Sequence, residues 1–195
     1  MDVLEFRDGR AWHSWLQTQH AQHSEAWLRI AKRHAALELI SIVDAGDVGL
    51  CFGWIDGQRK SYDELSFVQR YSPRRAGSPW SQGNVARVES LLAAGRMPPA
   101  GLAEMEQATA DGRWSGAYAP QRTAQPPAQL LANLALNPTA LSAFEELPRS
   151  ERYLLMLPLL QAYTPKSKER ALARIMSTLS PLICEVRRRS PHLRG

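Results

Sequence analysis

Three stretches of this chain read with a period of two, and all three end before residue 73. SEAWLRIAKR (24–33) sets Ala26, Leu28 and Ile30 against Trp27, Arg29 and Ala31. WIDGQRK (54–60) sends Trp54, Asp56 and Gln58 to one side and Ile55 to the other, and SFVQRYS (66–72) sets Phe67, Gln69 and Tyr71 against Val68, Arg70 and Ser72. Period two is the pattern of a strand with one face buried. After PRRAGSPWS the period becomes helical and stays so. The expected fold is therefore α+β: a small antiparallel sheet of about three strands packed with helices, followed by a mostly helical C-terminal half.

Local signals place the helices. Asp8 is a capping residue ahead of Trp12, Trp15 and Leu16, which form an inward stripe at helical spacing. Ser41 with Asp44 three residues on resembles a capping box, and Gly53 suits the left-handed conformation that follows a helix, so residues 41–52 are read as a short helix. Asp56-Gly57 is also a hairpin-turn dipeptide, which leaves a turn as the rival to a continuous strand there. NVARVESLLAAGRM places Val85, Val88, Leu91 and Leu92 on one face and stops at Gly95, while Pro98 and Pro99 suit the first turn of the next helix. The expected organisation is an α+β core over 1–118, a linker over 119–127, helices over 128–187 and a basic tail over 188–195. Leu172, Ile175, Met176 and Leu179 form the buried stripe of the last helix.

The net charge of +5 weakens as a pointer to an anionic partner once it is located: residues 185–195 carry four arginines and one glutamate, leaving +2 for the other 184 residues. The stretch 59–75, with five basic and two acidic residues, is the other basic segment. MDVLEFRDGR has an acid at position 2 and no apolar run, and the longest mostly apolar run, Tyr153–Leu160, is broken by Pro158. No targeting segment or membrane span is expected, and a cytoplasmic location follows. Cys51 and Cys184 lack metal or disulfide spacing, and His20 with His23 lacks a third ligand, so no metal and no cofactor is implied. The phosphate-binding and hydrolase motifs GxGxxG, Walker loop, GxSxG and HExxH are absent.

LCFGWID (50–56), QRYSPRR (69–75), SPWSQGN (78–84), GRMPPAGL (95–102) and DGRW (111–114), in that order, resemble the YdeI/OmpD-associated family of bacterial proteins, also called the bacteriocin-protection family. The resemblance runs from the first tryptophan helix to about residue 118 and more loosely into the C-terminal helices. It implies an α+β protein linked by name to tolerance of bacteriocins or antimicrobial peptides, without a settled biochemical activity. Pro158 interrupts a helix that the family keeps whole.

The candidate site is Trp54, Asp56, Arg70, Arg74, Arg75, Trp80, Ser81 and Asn84. Strand pairing would bring Asp56 near the Arg70 strand. SPRR runs into SPWSQGN, where Ser78 or Ser81 precedes a helix, so arginines would flank a helix start, a suitable place for a small anionic ligand. The bland reading is that Asp56 pairs with an arginine, Trp80 plugs the core and Asn84 caps. Within LCFGWID, Cys51, Phe52 and Ile55 are assigned to the core and Trp54 and Asp56 to an accessible face. The leading function is a non-catalytic binding protein, engaging a small anionic ligand or a protein partner. A nucleic-acid binder would stack bases on Phe67 and Tyr71 between Arg70, Arg74 and Arg75, against a body charge of only +2. An enzyme with Asp56 as general base lacks a recognisable second catalytic partner.

Overall fold

The computed structural model describes residues 2–189, with side chains through residue 180. Among these residues it holds eight helices and one four-stranded sheet, dividing into two compact units: Met1–Ser78 with Gly83–Ser115, and Pro79–Gln82 with Gly116–Gly195. The α+β class and the helical C-terminal half stand as expected.

In the first unit, strands β1 (Val3–Leu4), β2 (Ala26–Ala31), β3 (Trp54–Ser61) and β4 (Ser66–Pro73) lie in the order β1-β2-β4-β3. β4 pairs antiparallel with both β2 and β3, the arrangement the alternation called for. β1, parallel to β2, is too short for its period to be read. Asp56-Gly57 is not a turn. It lies inside β3, where the register slips between Asp56 and Arg59. Such an irregularity frees backbone carbonyls that must find donors. Buried Gln69 supplies them: its amide donates to the carbonyl of Gly57 at 2.9 Å, while its oxygen accepts from Arg59 Nε at 3.1 Å. The slip also sends Arg59 rather than Gln58 to the face of Gln69. The SYDEL connection closes on Asp63, whose carboxylate accepts from the backbone of Leu65 and Ser66 and from Arg29.

Helices α1 (Gly9–Gln19) and α2 (Ile42–Cys51) start at the expected caps: Asp8 accepts from Ala11 N–H, and Ser41 Oγ from Asp44 N–H. Trp12 and Leu16 are fully buried, and Trp12 stacks with half-buried Trp15 at 5.2 Å. Helices α3 (Gln82–Ala93) and α4 (Pro99–Ala110) are joined through Gly95, whose φ of 64° ends the first, and Pro98, the N-cap of the second. Two of the motifs meet here. A Cβ on Gly101 would stand 2.3 Å from the Cys51 carbonyl oxygen, and one on Gly53, with φ 71°, 3.3 Å from Glu104 Cβ. GRMPPAGL therefore docks on LCFG by glycine-permitted backbone approach.

The second unit holds α5 (Ala128–Ala135), α6 (Pro138–Glu146), α7 (Arg149–Leu160) and α8 (Pro165–Arg189). Leu130, Leu134, Phe144, Met156, Leu159, Leu172, Ile175 and Leu179 form its core, so the stripe read on the last helix is the buried one. Pro158 does not break α7; it sits in the last turn, three residues from the C-cap Gln161, and the helix ends at Leu160. A proline so near the end removes one ladder bond and leaves the preceding turns intact. The basic tail expected over 188–195 lies, but for the last two residues of α8, outside the described residues, as does the side chain of Cys184.

Candidate functional site

The eight residues singled out in the sequence are distributed by the strand register. Trp54 is 1% exposed, packed edge-on against Trp12 at 6.1 Å and Trp15 at 6.2 Å, which corrects its assignment to an accessible face. The reason is that the Trp54 side of β3 is the side that α1 covers. Asp56, on that same side, is exposed and sits opposite Tyr71 in the register. Arg70 projects to the other face of the sheet, where its Nε bonds Glu25 at 2.6 Å, so Asp56 and Arg70 do not form the expected pair. Arg70's partner lies 45 residues upstream, on the approach to β2.

Arg74 is buried and engaged within the protein, its N–H bonded to the Gly53 carbonyl at 3.0 Å; Arg75 is exposed, with its N–H on Ser78 Oγ at 3.1 Å. In the second unit Trp80 is buried, its carbonyl accepts from Tyr118 N–H, and Ser81 forms a bridge with Tyr118. Asn84, half-buried in the first turn of α3, also has partners within the protein. Tyr71 is buried with its hydroxyl unbonded, and burial, then the charge of Asp56, pushes its phenol well above the usual range. It offers no face to a base. Phe67 is half-buried, with the Arg59 guanidinium over one face of its ring at 4.3 Å.

A different set of residues lines open space. A cleft of about 610 Å³ in the first unit is bordered by Asp8, Arg10, His13, Ser14, Asp44 and Arg96. Arg96 also borders two further hollows of about 300 Å³ each, one with Asp47 and Arg87, the other with His13 and Cys51. Local structure explains each position: Asp8 and Arg10 flank the start of α1, Asp44 lies in the first turn of α2, and Arg96 follows the Gly95 stop. The two carboxylates are occupied. Asp8 accepts from Ala11 N–H, the main cause holding its carboxyl below the ordinary value, aided by Arg10 and Arg7; Asp44 accepts from the Ser41 hydroxyl at 2.7 Å. Among the described residues, neither Arg10 nor Arg96 forms a salt bridge or a side-chain hydrogen bond. Cys51 beside them is a free buried thiol whose pKa is raised by desolvation, against the pull of Arg96. Beside these two carboxylates the cleft presents two guanidinium groups that form no salt bridge and the half-buried ring of His13, groups able to hold an anion by charge-assisted hydrogen bonds.

Sequence reading missed this cleft because its parts lie more than 80 positions apart, although GRMPPAGL, which carries Arg96, was among the quoted motifs. No group of three or more His, Cys, Asp or Glu among the described residues is placed to hold a metal ion, and no helix there is long and apolar enough to cross a membrane.

Residues 4–104 match the family model described as a domain of unknown function, DUF8412. Residues 123–180 match the model described as Bacteriocin-protection, YdeI or OmpD-Associated. The resemblance to that family is borne out, but over α5–α7 and α8 as far as residue 180, not over the N-terminal motifs. No curated protein and no solved structure matches the chain.

Proposed function

The chain belongs to the DUF8412 domain family and continues into a segment of the YdeI or OmpD-associated type, and from that premise we propose that it is a non-catalytic cytoplasmic binding protein that contributes to bacteriocin or antimicrobial-peptide tolerance. The observation that carries the reading is the cleft in which, among the described residues, Arg10 and Arg96 form no salt bridge or side-chain hydrogen bond beside His13. Its ligand is a small anion or an anionic group of a larger molecule. A binding role is supported by how the cleft is furnished: its guanidinium groups hold their protons at any physiological pH and so present a lasting positive charge to an anion.

Two measurements on the same variants test this. Titration of the full chain with inorganic phosphate and with a panel of di- and tricarboxylates should show one saturable site, and the Arg10→Ala/Arg96→Ala double variant should lose it while keeping its melting temperature. Restored to a strain lacking the protein, that variant should fail to give the bacteriocin or peptide tolerance that the natural sequence restores. Full tolerance from the double variant at equal folded level would overturn the proposal.

A further inference from the structure

The second unit has a cavity of its own, of about 360 Å³, floored by Phe144, Met156 and Pro126 and rimmed by Arg149, Arg152 and Tyr153. Phe144 and Met156 belong to the buried core of the unit, so the floor is a patch of that core reaching open space. The charge of the rim is one-sided, because its lining includes no aspartate and no glutamate. Neither arginine is neutralised from elsewhere among the described residues. Arg149 donates to the backbone carbonyl of Arg122, and the Arg152 guanidinium lies over the Phe144 ring at 6.0 Å, and neither makes a salt bridge. Each guanidinium carries five N–H donors, so one backbone bond and one ring contact leave most of them unused.

From this juxtaposition we infer that the cavity binds a carboxylate carried on a small apolar body, either a free organic acid or the C-terminal carboxylate of a peptide ending in an apolar residue. Two guanidinium groups above an apolar floor match such a molecule end for end. The carboxylate takes charge-assisted hydrogen bonds that its neutral isostere cannot, and the apolar body covers the small part of Phe144 and Met156 that reaches the cavity, together with half-buried Pro126. The volume is near the lower limit of small-molecule pockets, roughly 300–1,000 Å³, which suits one ring or one short branched chain. This site is independent of the cleft around Arg96: every residue that lines it lies in the second unit, and all but Gln121 fall within the segment matched by the bacteriocin-protection model.

Benzoate and benzamide, titrated into the full chain by calorimetry and by amide chemical shifts, form the deciding pair. Benzoate should bind at one site with Kd between about 10 μM and 1 mM, the range open to a ligand of that size, and shift the amides of residues 121–125, 144–147 and 149–156; benzamide should not saturate. Arg149→Gln, at an exposed position, should weaken benzoate by about tenfold with an unchanged melting temperature, Arg149→Lys should lose less, and Arg10→Ala/Arg96→Ala should change nothing. A tripeptide Ala-Ala-Phe with a free carboxylate, compared with its amide, separates the two sources: tighter binding than benzoate assigns a peptide terminus, weaker binding a free acid. Equal binding of benzoate and benzamide, no saturation by benzoate or the free tripeptide, binding of inorganic phosphate to the Arg10→Ala/Arg96→Ala variant as tight as that of benzoate, or an unaltered Kd in Arg149→Gln would each overturn the assignment.

Discussion

Gly101→Ala asks whether the docking of GRMPPAGL on LCFG holds the first unit together. Gly101 is buried in the first turn of α4, where alanine is intrinsically favoured over glycine by about 1 kcal/mol. Against that gain stands the added methyl, 2.3 Å from the Cys51 oxygen, 2.8 Å from its carbon and 2.7 Å from Met97 Cε. Met97 can swing away. The Cys51 carbonyl cannot, since it is backbone in the last turn of α2, two residues before Gly53, whose own carbonyl is held by Arg74 N–H at 3.0 Å. Relief to ordinary van der Waals distance requires α4 and α2 to part by about 1 Å, an overpacking strain at the upper end of about 1–3 kcal/mol. The net expectation is a loss of about 2 kcal/mol, read as a fall of about 1 M in the urea midpoint at a slope of about 2 kcal/mol per M. Gly46→Ala is the control. Its methyl also meets an atom at 2.6 Å, but that atom is the end of the Arg87 side chain, which can shift at the expense of its half-exposed bonds to Asp47 and the Val43 carbonyl rather than by parting two helices. It should stay within about 1 kcal/mol of the natural protein. If Gly101→Ala were as stable as the parent, or if the two substitutions cost the same, the argument from backbone proximity would be refuted.

Other expectations follow from single side chains. Trp54→Ala should cost about 3–5 kcal/mol in denaturant unfolding, because the indole is enclosed by Trp12 and Trp15. Asp56→Asn should change stability by less than about 0.5 kcal/mol, since the carboxylate is exposed and forms no ion pair among the described residues. In that variant the Tyr71 phenol should titrate at lower pH than in the parent by absorbance, because one of the two causes raising it is gone. Arg113→Met should cost about 3–5 kcal/mol in thermal melts: the guanidinium is buried, bonds Glu104 at 3.1 Å and Asp111 at 2.7 Å, and its loss leaves carboxylates facing each other without it. Asp8, Glu25 and Asp63 all have carboxyls held below their ordinary values of 3.8, 4.5 and 3.8, by Ala11 N–H, by Arg70 and by Ser66 respectively. Their stabilisation is therefore complete above those values and is lost as pH falls through the lower folded ones. On acidification the melting temperature should begin to decline only below about pH 4.5, and an acid-side decline beginning near neutrality would contradict this assignment.

What the sequence determined by itself was whatever depends on a few consecutive residues. The caps at Asp8 and Ser41, the left-handed Gly53 and Gly95 and the helix start at Pro98-Pro99 are settled within one turn of backbone, and the alternation of β2 and β4 is visible without knowing what lies on either side. The same locality explains the failures. Alternation says that Trp54 and Ile55 face opposite ways, but not which way α1 lies, and the helix placed Trp54 in the core. The register slip in β3 depends on a buried glutamine in the neighbouring strand. Arg70 found Glu25 instead of Asp56 because tertiary register, not separation along the chain, decides which charges meet. Charge neutralisation is likewise a property of the folded surface: no local pattern distinguishes Arg29, held by Glu5 and Asp63, from Arg96, which is left facing a cleft. Only the tertiary structure decided which arginines were consumed by the fold and which were left over, because an ion pair forms where distant segments are brought within about 4 Å, a distance that no single segment contains.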